Sequence, residues 1–314
     1  MNKYLPLLIA LLGGFWDAFA QTPSDIGKIY LSIVMPETDE GLDPSQLSRL
    51  EAKIAQLVTN TGLAGSGYTS NFVIYPKFVV YETNTVEGGM ANVTIVSCEL
   101  GLFIKQVDGN ILFSTISKPL RGSGRNKTAA ITHALSKIPS ADEELDEFIE
   151  TGKKRIIAYY ELICADLINR SESLVAMQDY TQALGLLMSV PNEVSCYQTI
   201  QQKSIEAYQA FQNQKCVEQL QEAKTYLASN QYQHALRTLR RVDPSTPCFE
   251  EAENLVNRAA DEVDAEENKL WDQRMRVYED QIALTKERIH AIKEIAASYY
   301  RSKPTSVNYT YLLR

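Results

Sequence analysis

The residues best placed to do chemistry are four cysteines that fall in two equally spaced pairs. Cys164 and Cys196 are followed 52 residues later (216 minus 164, 248 minus 196) by Cys216 and Cys248. No Cys-x-x-Cys motif accompanies them, and no histidine stands at the spacing of a metal ligand. The pattern therefore favours structural disulfides over redox or metal chemistry. The fifth cysteine, Cys98, lies in a predicted strand, where we expect a buried free thiol.

No other group of residues in the sequence resembles a catalytic site. His133 and His234 fall on predicted helices with no acid and nucleophile beside them, so we expect no catalytic residue, no metal and no cofactor. The segment "RGSGR" places Arg121 and Arg125 around glycines just before a predicted helix, an arrangement that could bind an anion. The alternative is an ordinary strand-to-helix connection, because the Lys-Ser/Thr ending of a phosphate-binding loop is missing.

The start of the chain predicts export. Residues 1–20 carry Lys3, a short apolar run and small residues at Ala18 and Ala20, which is the anatomy of a secretory signal peptide. That run is too short to span a bilayer, and no later stretch is long and apolar enough, so we expect no integral membrane span. No cysteine lies near the cleavage site to carry a lipid. We expect an exported protein in an oxidising space, periplasmic or outer-membrane-associated.

Charge argues against a nucleic-acid partner. The chain has 39 acidic and 31 basic residues, giving a formal net charge of −8. Such a surface repels a phosphate backbone. We therefore look for protein partners in the cell envelope, and the sequence leaves the oligomeric state open.

A change of composition near residue 140 predicts an α+β chain with two domains. Residues 28–139 are rich in Val, Ile, Thr and Gly and predict a small α/β domain of the sandwich type. Its expected elements, in order, are a strand at 28–35, a helix that Asp43 and Pro44 begin, an extended segment at 72–83, a long hairpin turning at Asp108-Gly109, and a helix through Ala130 and Ile138.

Residues 140–300 predict an all-α, repeat-like domain. "VPNE" and "VDPSTP" break its helices, whereas the stretch from about 249 to 300 contains no Gly or Pro. That stretch predicts either one very long helix or a hairpin of two. We expect residues 301–314 to form an extended tail, which is either loose or adds a strand.

An internal repeat explains the spacing of the cysteines. Residues 164–197 and 216–249 align without a gap. Apolar and small residues recur in both copies: Ala176 and Ala228, Tyr180 and Tyr232, Ala183 and Ala235, Leu184 and Leu236, Leu187 and Leu239, Val190 and Val242. This is the pattern of a repeated helix–turn–helix unit.

The repeat suggests how the cysteines pair. In an antiparallel helix pair, the start of the first helix lies beside the end of the second. This predicts the disulfides Cys164–Cys196 and Cys216–Cys248. Sequence alone also allows Cys196 to pair with Cys216.

The second helix of each unit resembles the tetratricopeptide repeat. Tyr232, Ala235, Leu236, Leu239 and Pro244 match its Tyr-x-x-Ala-Leu…Pro pattern. The period of 52 residues exceeds the family's period of about 34, so each unit needs an extra or extended helix, such as residues 197–211.

The resemblance implies a concave surface that holds a partner peptide. We expect that surface around the following residues: Tyr180, Gln182, Tyr232 and Gln233. Core packing is the alternative for both tyrosines.

The first domain is similar to the α/β module of TolB amino-terminal domains and CsgG-type secretion proteins. The segments that carry this likeness are "KIYLSIVMP", "NFVIYPKFVVYE" and "GSGRNKTAAITHALSKI". The resemblance implies protein–protein contacts in the periplasm and no cofactor. A pore role does not follow, because the lipid-bearing cysteine of CsgG-type proteins is missing. By analogy the chain is Bacteroidota-like.

Together these features predict a non-enzymatic exported envelope protein that acts as an adaptor or assembly factor. One alternative is a structural component of a surface or secretion assembly, docked through the long carboxy-terminal helix. Another is an envelope hydrolase, which would need a polar cleft built from distant segments.

Overall fold

The computed structural model describes residues 28–36, 41–64, 71–87, 92–259 and 265–302. It confirms the predicted α+β class: a sheet lies in the amino-terminal part, and helices make up most of the rest. The expected signal peptide, residues 1–20, and most of the expected tail, residues 301–314, lie outside the described residues.

Helix α1, Pro44–Asn60, begins where the sequence predicts a helix. The Gln46 backbone N–H donates to Asp43 Oδ1 at 2.9 Å, and the Asp43 N–H donates to Gln46 Oε1 at 3.0 Å. These reciprocal bonds form a capping box that satisfies two backbone donors. The apolar residues at helical spacing form the buried face: Leu50, Ile54, Leu57 and Val58.

The described strands form one sheet in the order β1-β2-β3-β4. Their bounds are β1 Ser32–Ile33, β2 Phe72–Val86, β3 Val93–Gln106 and β4 Leu112–Gly124. β1 runs parallel to β2, and the other pairs are antiparallel.

The prediction of a strand over residues 28–35 is wrong in length, because β1 is shorter. Only Ser32 and Ile33 join the ladder with β2, because the Leu31 N–H bonds instead to the Leu63 carbonyl at 2.8 Å, just after α1.

The predicted hairpin between β3 and β4 is present, but its turn differs from the expected one. The left-handed residue is Asn110, with φ of 50°, rather than Asp108 or Gly109. The Gln106 N–H bonds to the Ile111 carbonyl at 2.8 Å, so four residues form the loop. Asn tolerates the left-handed region better than other non-glycine residues, which lets it take the role expected of Gly109.

The "RGSGR" segment is mainly strand rather than a connector. β4 continues through Gly124, and helix α2, Lys127–Ser136, follows directly. A Cβ on Gly122 would lie 1.8 Å from the Ala130 carbonyl oxygen, and one on Gly124 would lie 2.6 Å from the Ala130 nitrogen. The glycines therefore allow α2 to pack directly against the backbone of β4.

The helical part begins with α3, Glu143–Ala176, whose first turn carries acidic residues and is capped by Asp142. The helices that follow are α4 Tyr180–Met188, α5 Tyr197–Ala228, α6 Tyr232–Leu239 and α7 Phe249–Ala259. The "VPNE" and "VDPSTP" breaks fall between helices, as predicted. The extra length of the repeat is supplied by the long helix α5, which includes residues 197–211.

Among the described residues, the stretch from 249 to 300 is divided into α7, α8 (Ala265–Glu279) and α9 (Gln281–Arg301). Arg274 on α8 forms an ion pair with Glu287 on α9, so these helices form the hairpin that the sequence left open. α9 then packs along α4, and the Tyr300 hydroxyl donates to the Gly185 carbonyl at 2.6 Å.

Two hydrophobic clusters account for most of the core. The first joins the sheet, α1 to α4, the start of α5 and Ile292 of α9 without interruption across residue 139. The second contains the end of α5 with α6 and α7. The expected domain boundary at 139 and 140 lies between α2 and α3, and it stays a prediction.

Candidate functional site

The structure pairs the cysteines within each helical unit. The disulfides are Cys164–Cys196, with Cα atoms 6.6 Å apart, and Cys216–Cys248, with Cα atoms 6.3 Å apart. The predicted pairing is confirmed, and the rival pairing of Cys196 with Cys216 is wrong. Cys164 and Cys216 lie in the second halves of α3 and α5, and not at a helix start as expected, and each bonds to the residue directly before a later helix, α5 or α7. The two disulfides fit an oxidising environment.

The two units repeat at the level of the backbone as well as the sequence. Gln178 and Asn230, 52 residues apart (230 minus 178), have left-handed φ values of 62° and 56°. In each unit the next residue donates its N–H back across the turn: Asp179 to the Leu174 carbonyl and Gln231 to the Tyr226 carbonyl, both at 2.9 Å. The same turn therefore forms twice without a glycine at the left-handed position.

The residues expected to bind a partner do not form one surface patch. Tyr180 is buried, and its ring packs on Phe211 with ring centroids 5.6 Å apart, which fits the core-packing alternative. Gln182 is half-buried at the start of α4, Tyr232 is half-buried in the second unit, and Gln233 is exposed. A partner role for these four residues stays a prediction.

Arg121 and Arg125 are both exposed at the end of β4. Helix α2 follows these arginines, and its amino terminus is capped by its own N-cap residue. The Ala129 N–H donates to Asn126 Oδ1 at 2.8 Å. That donor is therefore engaged by the chain itself, and anion binding by the two arginines stays a prediction.

The side chains of His133, His234 and Cys98 make contacts that are typical of structural residues. His133 Nδ1 lies 3.1 Å from the Ser123 N–H, and the ring of His234 packs on Tyr226. Cys98 is a buried free thiol, as predicted, and burial raises its pKa. Within the described residues, no cluster of three or more His, Cys, Asp or Glu side chains could hold a metal ion.

A pocket of about 240 Å³ lies where the end of α4, the start of α5 and the middle of α9 meet. We call it the α4–α5–α9 pocket. It is lined by Leu187, Met188, Val190, Tyr197, Ile200, Gln201, Ser204, Ile205, Ile289 and Ile292. Ile205 lies at its exposed edge, with 49% of its surface accessible. The Cys164–Cys196 disulfide fixes the start of α5 and thus the wall that carries Tyr197.

The pocket has few polar groups. The Ser204 hydroxyl donates to the Ile200 carbonyl at 2.9 Å and is satisfied within α5. The Tyr197 hydroxyl is buried, and the Gln201 side chain is a polar neighbour of it. Burial raises the pKa of Tyr197, and the nearby Gln201 side chain offsets part of that rise. The hydroxyl is therefore neutral inside an apolar site.

A second group of polar side chains holds the helices against the sheet. Asn71 and Gln106 donate to the Tyr160 hydroxyl at 3.3 and 3.1 Å, and this hydroxyl donates to Ser189 Oγ at 2.9 Å. We call these four residues the junction cluster. Burial raises the pKa of Tyr160 far above its usual range. The cluster fixes α4, and thereby one wall of the α4–α5–α9 pocket, relative to the sheet.

Sequence reasoning did not find the α4–α5–α9 pocket. Its lining comes from residues 187–205 and from α9, about 90 positions further along, and nothing local in the sequence pairs these segments. The one available signal was Tyr197, the aromatic residue directly after Cys196.

No protein-family model, curated protein or solved structure matches this chain.

Within the described residues, every helix is too short or too polar to cross a bilayer.

Proposed function

We propose that this protein is a non-enzymatic, exported envelope protein that binds protein partners as an adaptor or assembly factor. The observation that carries the proposal is the α4–α5–α9 pocket, which is apolar, open at Ile205 and built on a disulfide-linked helical unit. Two disulfides support a place outside the reducing cytoplasm, in the periplasm or at the outer membrane. A helical part that binds partners as tetratricopeptide repeats do would place a segment of the partner in the pocket.

The size of the pocket suits a side chain of a partner. An apolar cavity of roughly 150 Å³ is enough to hold benzene, so about 240 Å³ can accept one large apolar side chain. Contacts of this kind, in which one anchor residue fills a preformed pocket, carry a large share of the affinity in protein interfaces.

The alternative, a structural component docked through a long carboxy-terminal helix, has less support. The described part of α9 already places Leu284, Ile292 and Ala296 in the core, and α9 packs on α4. The apolar face that a partner helix would need is therefore largely used within the chain.

Site-specific photocrosslinking in the cell that makes the protein tests the adaptor function. We would place p-benzoyl-phenylalanine at Ile205, on the edge of the pocket, and at Val217, which is 61% exposed on the same helix. The two positions are about 18 Å apart along α5. We expect a discrete adduct with an envelope protein from Ile205 and none from Val217.

A blocking substitution completes this experiment. Gln201→Trp adds a bulky side chain at the exposed edge of the pocket, and we expect it to abolish the Ile205 adduct while the far-ultraviolet spectrum stays unchanged. Equal adducts from both positions, or an adduct that Gln201→Trp leaves intact, would contradict binding through the pocket.

A further inference from the structure

The two sides of the sheet differ in whether the backbone of the outer strand has partners. Along β4, Arg155 Nη1 donates to the Phe113 carbonyl at 2.9 Å, and the Ser123 N–H donates to His133 Nδ1 at 3.1 Å. Pro119 lies between these two positions and has no N–H to offer. These features close the edge of β4 to a further strand.

The opposite side of the sheet is open along the second half of β2. β1 pairs only with Val73 and Ile74, and no other described strand lies beside β2 on that side. Residues 81–86 are all exposed, and their sequence, "YETNTV", contains no Lys, Arg or Pro. An exposed edge that lacks such residues readily pairs with another strand.

The helices leave this end of β2 uncovered. Val96 of β3 is fully buried, whereas Thr83, its partner in β2, is exposed. Large apolar side chains at the same end of the β2–β3 pair are exposed as well: Val86, Val93 and Ile95. This end of the sheet therefore combines exposed apolar side chains with an open strand edge, which is typical of an interaction surface.

The hydrogen bonds of the sheet show which residues of β2 direct their backbone groups outward. Because the Ser123 N–H bonds to a side chain of α2, Ser123 and its partner Ile95 form a non-hydrogen-bonded pair. Ile95 then directs its N–H and carbonyl toward Asn84 in β2. The alternation of an antiparallel ladder leaves the backbone groups of Thr83 and Thr85 directed away from β3, at the open edge.

The open edge of β2 is complementary to itself. In an antiparallel pair with a two-fold axis through Asn84, Thr83 of one copy faces Thr85 of the other, and each directs an N–H and a carbonyl at its neighbour. Pairs of threonines across strands are favourable. Glu82 then faces Val86, so the acidic residues of the two copies do not meet. A second copy thus offers a strand whose outward groups and charge match this edge.

Neighbouring registers toward the start of β2 fit less well. An axis through Glu82 would place two carboxylates directly opposite each other, which is destabilising. An axis through Thr83 would place Thr85 opposite Tyr81, where the ladder between β2 and β3 is irregular. The axis through Asn84 allows residues 82–86 of both copies to pair along their whole length.

We propose that two copies of this protein associate edge to edge through β2, so that their sheets join into one continuous sheet. Residues 82–86 of each copy form the antiparallel pair, and Asn84 lies on the two-fold axis. Two identical chains related in this way are the commonest form of oligomer. The proposal is independent of the proposed adaptor function, because the residues that line the α4–α5–α9 pocket belong to the helical part.

Single cysteines test the register. At the two-fold axis the two copies of residue 84 form a non-hydrogen-bonded pair with Cα atoms about 4.5 Å apart, which a disulfide can join. Asn84→Cys should therefore give a disulfide-linked dimer on a non-reducing gel. Glu82→Cys alone should not, because the two copies of residue 82 lie about 14 Å apart along the strands. A mixture of Glu82→Cys and Val86→Cys should crosslink. A dimer from Glu82→Cys alone, or none from Asn84→Cys, overturns the proposal.

Sedimentation equilibrium of the oxidised mature protein measures the association itself, and we expect a reversible dimer. Thr85→Pro should weaken dimerisation at least tenfold, because the dimer loses two inter-chain donors while the ladder with β3 keeps its bonds. Thr85→Ala is the matched control: it keeps the N–H and should weaken dimerisation about fivefold at most.

Two results of the sedimentation experiment would contradict the edge-to-edge dimer. One is a monomer at every concentration, and the other is a dimer that Thr85→Pro leaves equally stable. If the monomer carries p-benzoyl-phenylalanine at Asn84 and crosslinks to a different envelope protein, the edge binds a foreign strand and the self-association proposal is wrong.

Discussion

At the scale of single residues, the buried hydroxyl of Tyr160 stands out because it bonds to three other side chains. It accepts from two buried amides and donates to Ser189, and so it joins α3 to β3, to the residue before β2 and to the residue after α4. Replacing both partners of a hydrogen bond costs little, but removing one partner leaves the other buried and unsatisfied.

We expect Tyr160→Phe to lower the free energy of unfolding by about 1–3 kcal/mol, because the Asn71 and Gln106 amides lose their acceptor. Urea unfolding of the oxidised protein measures this. Tyr81→Phe is the matched control, since the Tyr81 hydroxyl also bonds to a side chain, Glu99, but the residue is 63% exposed. The control should change the free energy by no more than about 0.5 kcal/mol. Equal effects would show that the junction cluster contributes little.

The sequence could place Tyr160 on a helix but could not predict its role. Its partners Asn71, Gln106 and Ser189 lie on three other segments, up to 89 residues away in sequence. Local periodicity reports which face of a helix is buried, and it does not report which distant polar groups meet there. The same limit applies to Tyr197, where the sequence showed an aromatic residue and the structure shows a buried hydroxyl in a pocket.

At the scale of elements, the contact between β4 and α2 depends on glycine. The Cβ that alanine would add at Gly122 lies 1.8 Å from the Ala130 carbonyl oxygen and 2.7 Å from the Ala134 nitrogen. Both atoms belong to the backbone of α2, so neither can move without shifting the helix.

We expect Gly122→Ala to lower the free energy of unfolding by at least about 3 kcal/mol or to prevent folding. Thermal or urea unfolding gives the value. Gly101→Ala in the neighbouring strand is the control, because the nearest atoms to its added Cβ, at 3.2 Å, belong to the Phe103 ring, which can move. The control should cost about 1 kcal/mol or less. A mild effect at Gly122 would mean that α2 adjusts easily.

Most elements were predictable because their signals are local. Asp43 with Pro44 predicted the start of α1, and the 52-residue repeat predicted two disulfide-linked helix pairs. The end of β4 was not predictable, since "RGSG" has low β propensity. Its strand conformation comes from pairing with β3, where Arg121 lies opposite Ser97 and Gly122 opposite Val96.

At the scale of the whole molecule, the two disulfides act on different cores. Both close loops with the same sequence separation of 32 residues, so each is expected to stabilise by about 3–4 kcal/mol from chain entropy. Cys164 belongs to the first hydrophobic cluster, which includes the sheet, whereas Cys216 belongs to the second. Their removal should therefore loosen different parts of the chain.

We expect Cys216→Ala with Cys248→Ala to speed hydrogen exchange in α6 and α7 and to leave β3 and the start of α3 protected. Removing Cys164 and Cys196 in the same way should speed exchange in α4 and in the second half of α3, which lie within the loop that this disulfide closes. Hydrogen-exchange mass spectrometry resolves both patterns. A uniform increase across the chain after the first change would indicate one cooperative core instead of two.

The position of α9 beside the β3–β4 turn could not be predicted from the sequence. The Tyr299 hydroxyl donates to Asp108 Oδ1 at 3.1 Å, and the two residues are 191 positions apart. Composition indicated a β-rich part followed by a helical part, but it did not indicate that the last described helix comes back to the β3–β4 turn. Such closure depends on contacts between the two ends of the fold.

These contacts of α9 limit the addition of further repeat units to the fold. A duplication of one more 52-residue unit would lengthen an open helical array with little penalty, as in solenoid proteins. Here the array is bounded by the sheet at one end and by α9 folding back at the other, so an added unit would separate Tyr299 from Asp108 and Tyr300 from Gly185. Evolution of a larger surface in this fold would therefore have to proceed by changing loops and side chains rather than by adding repeats.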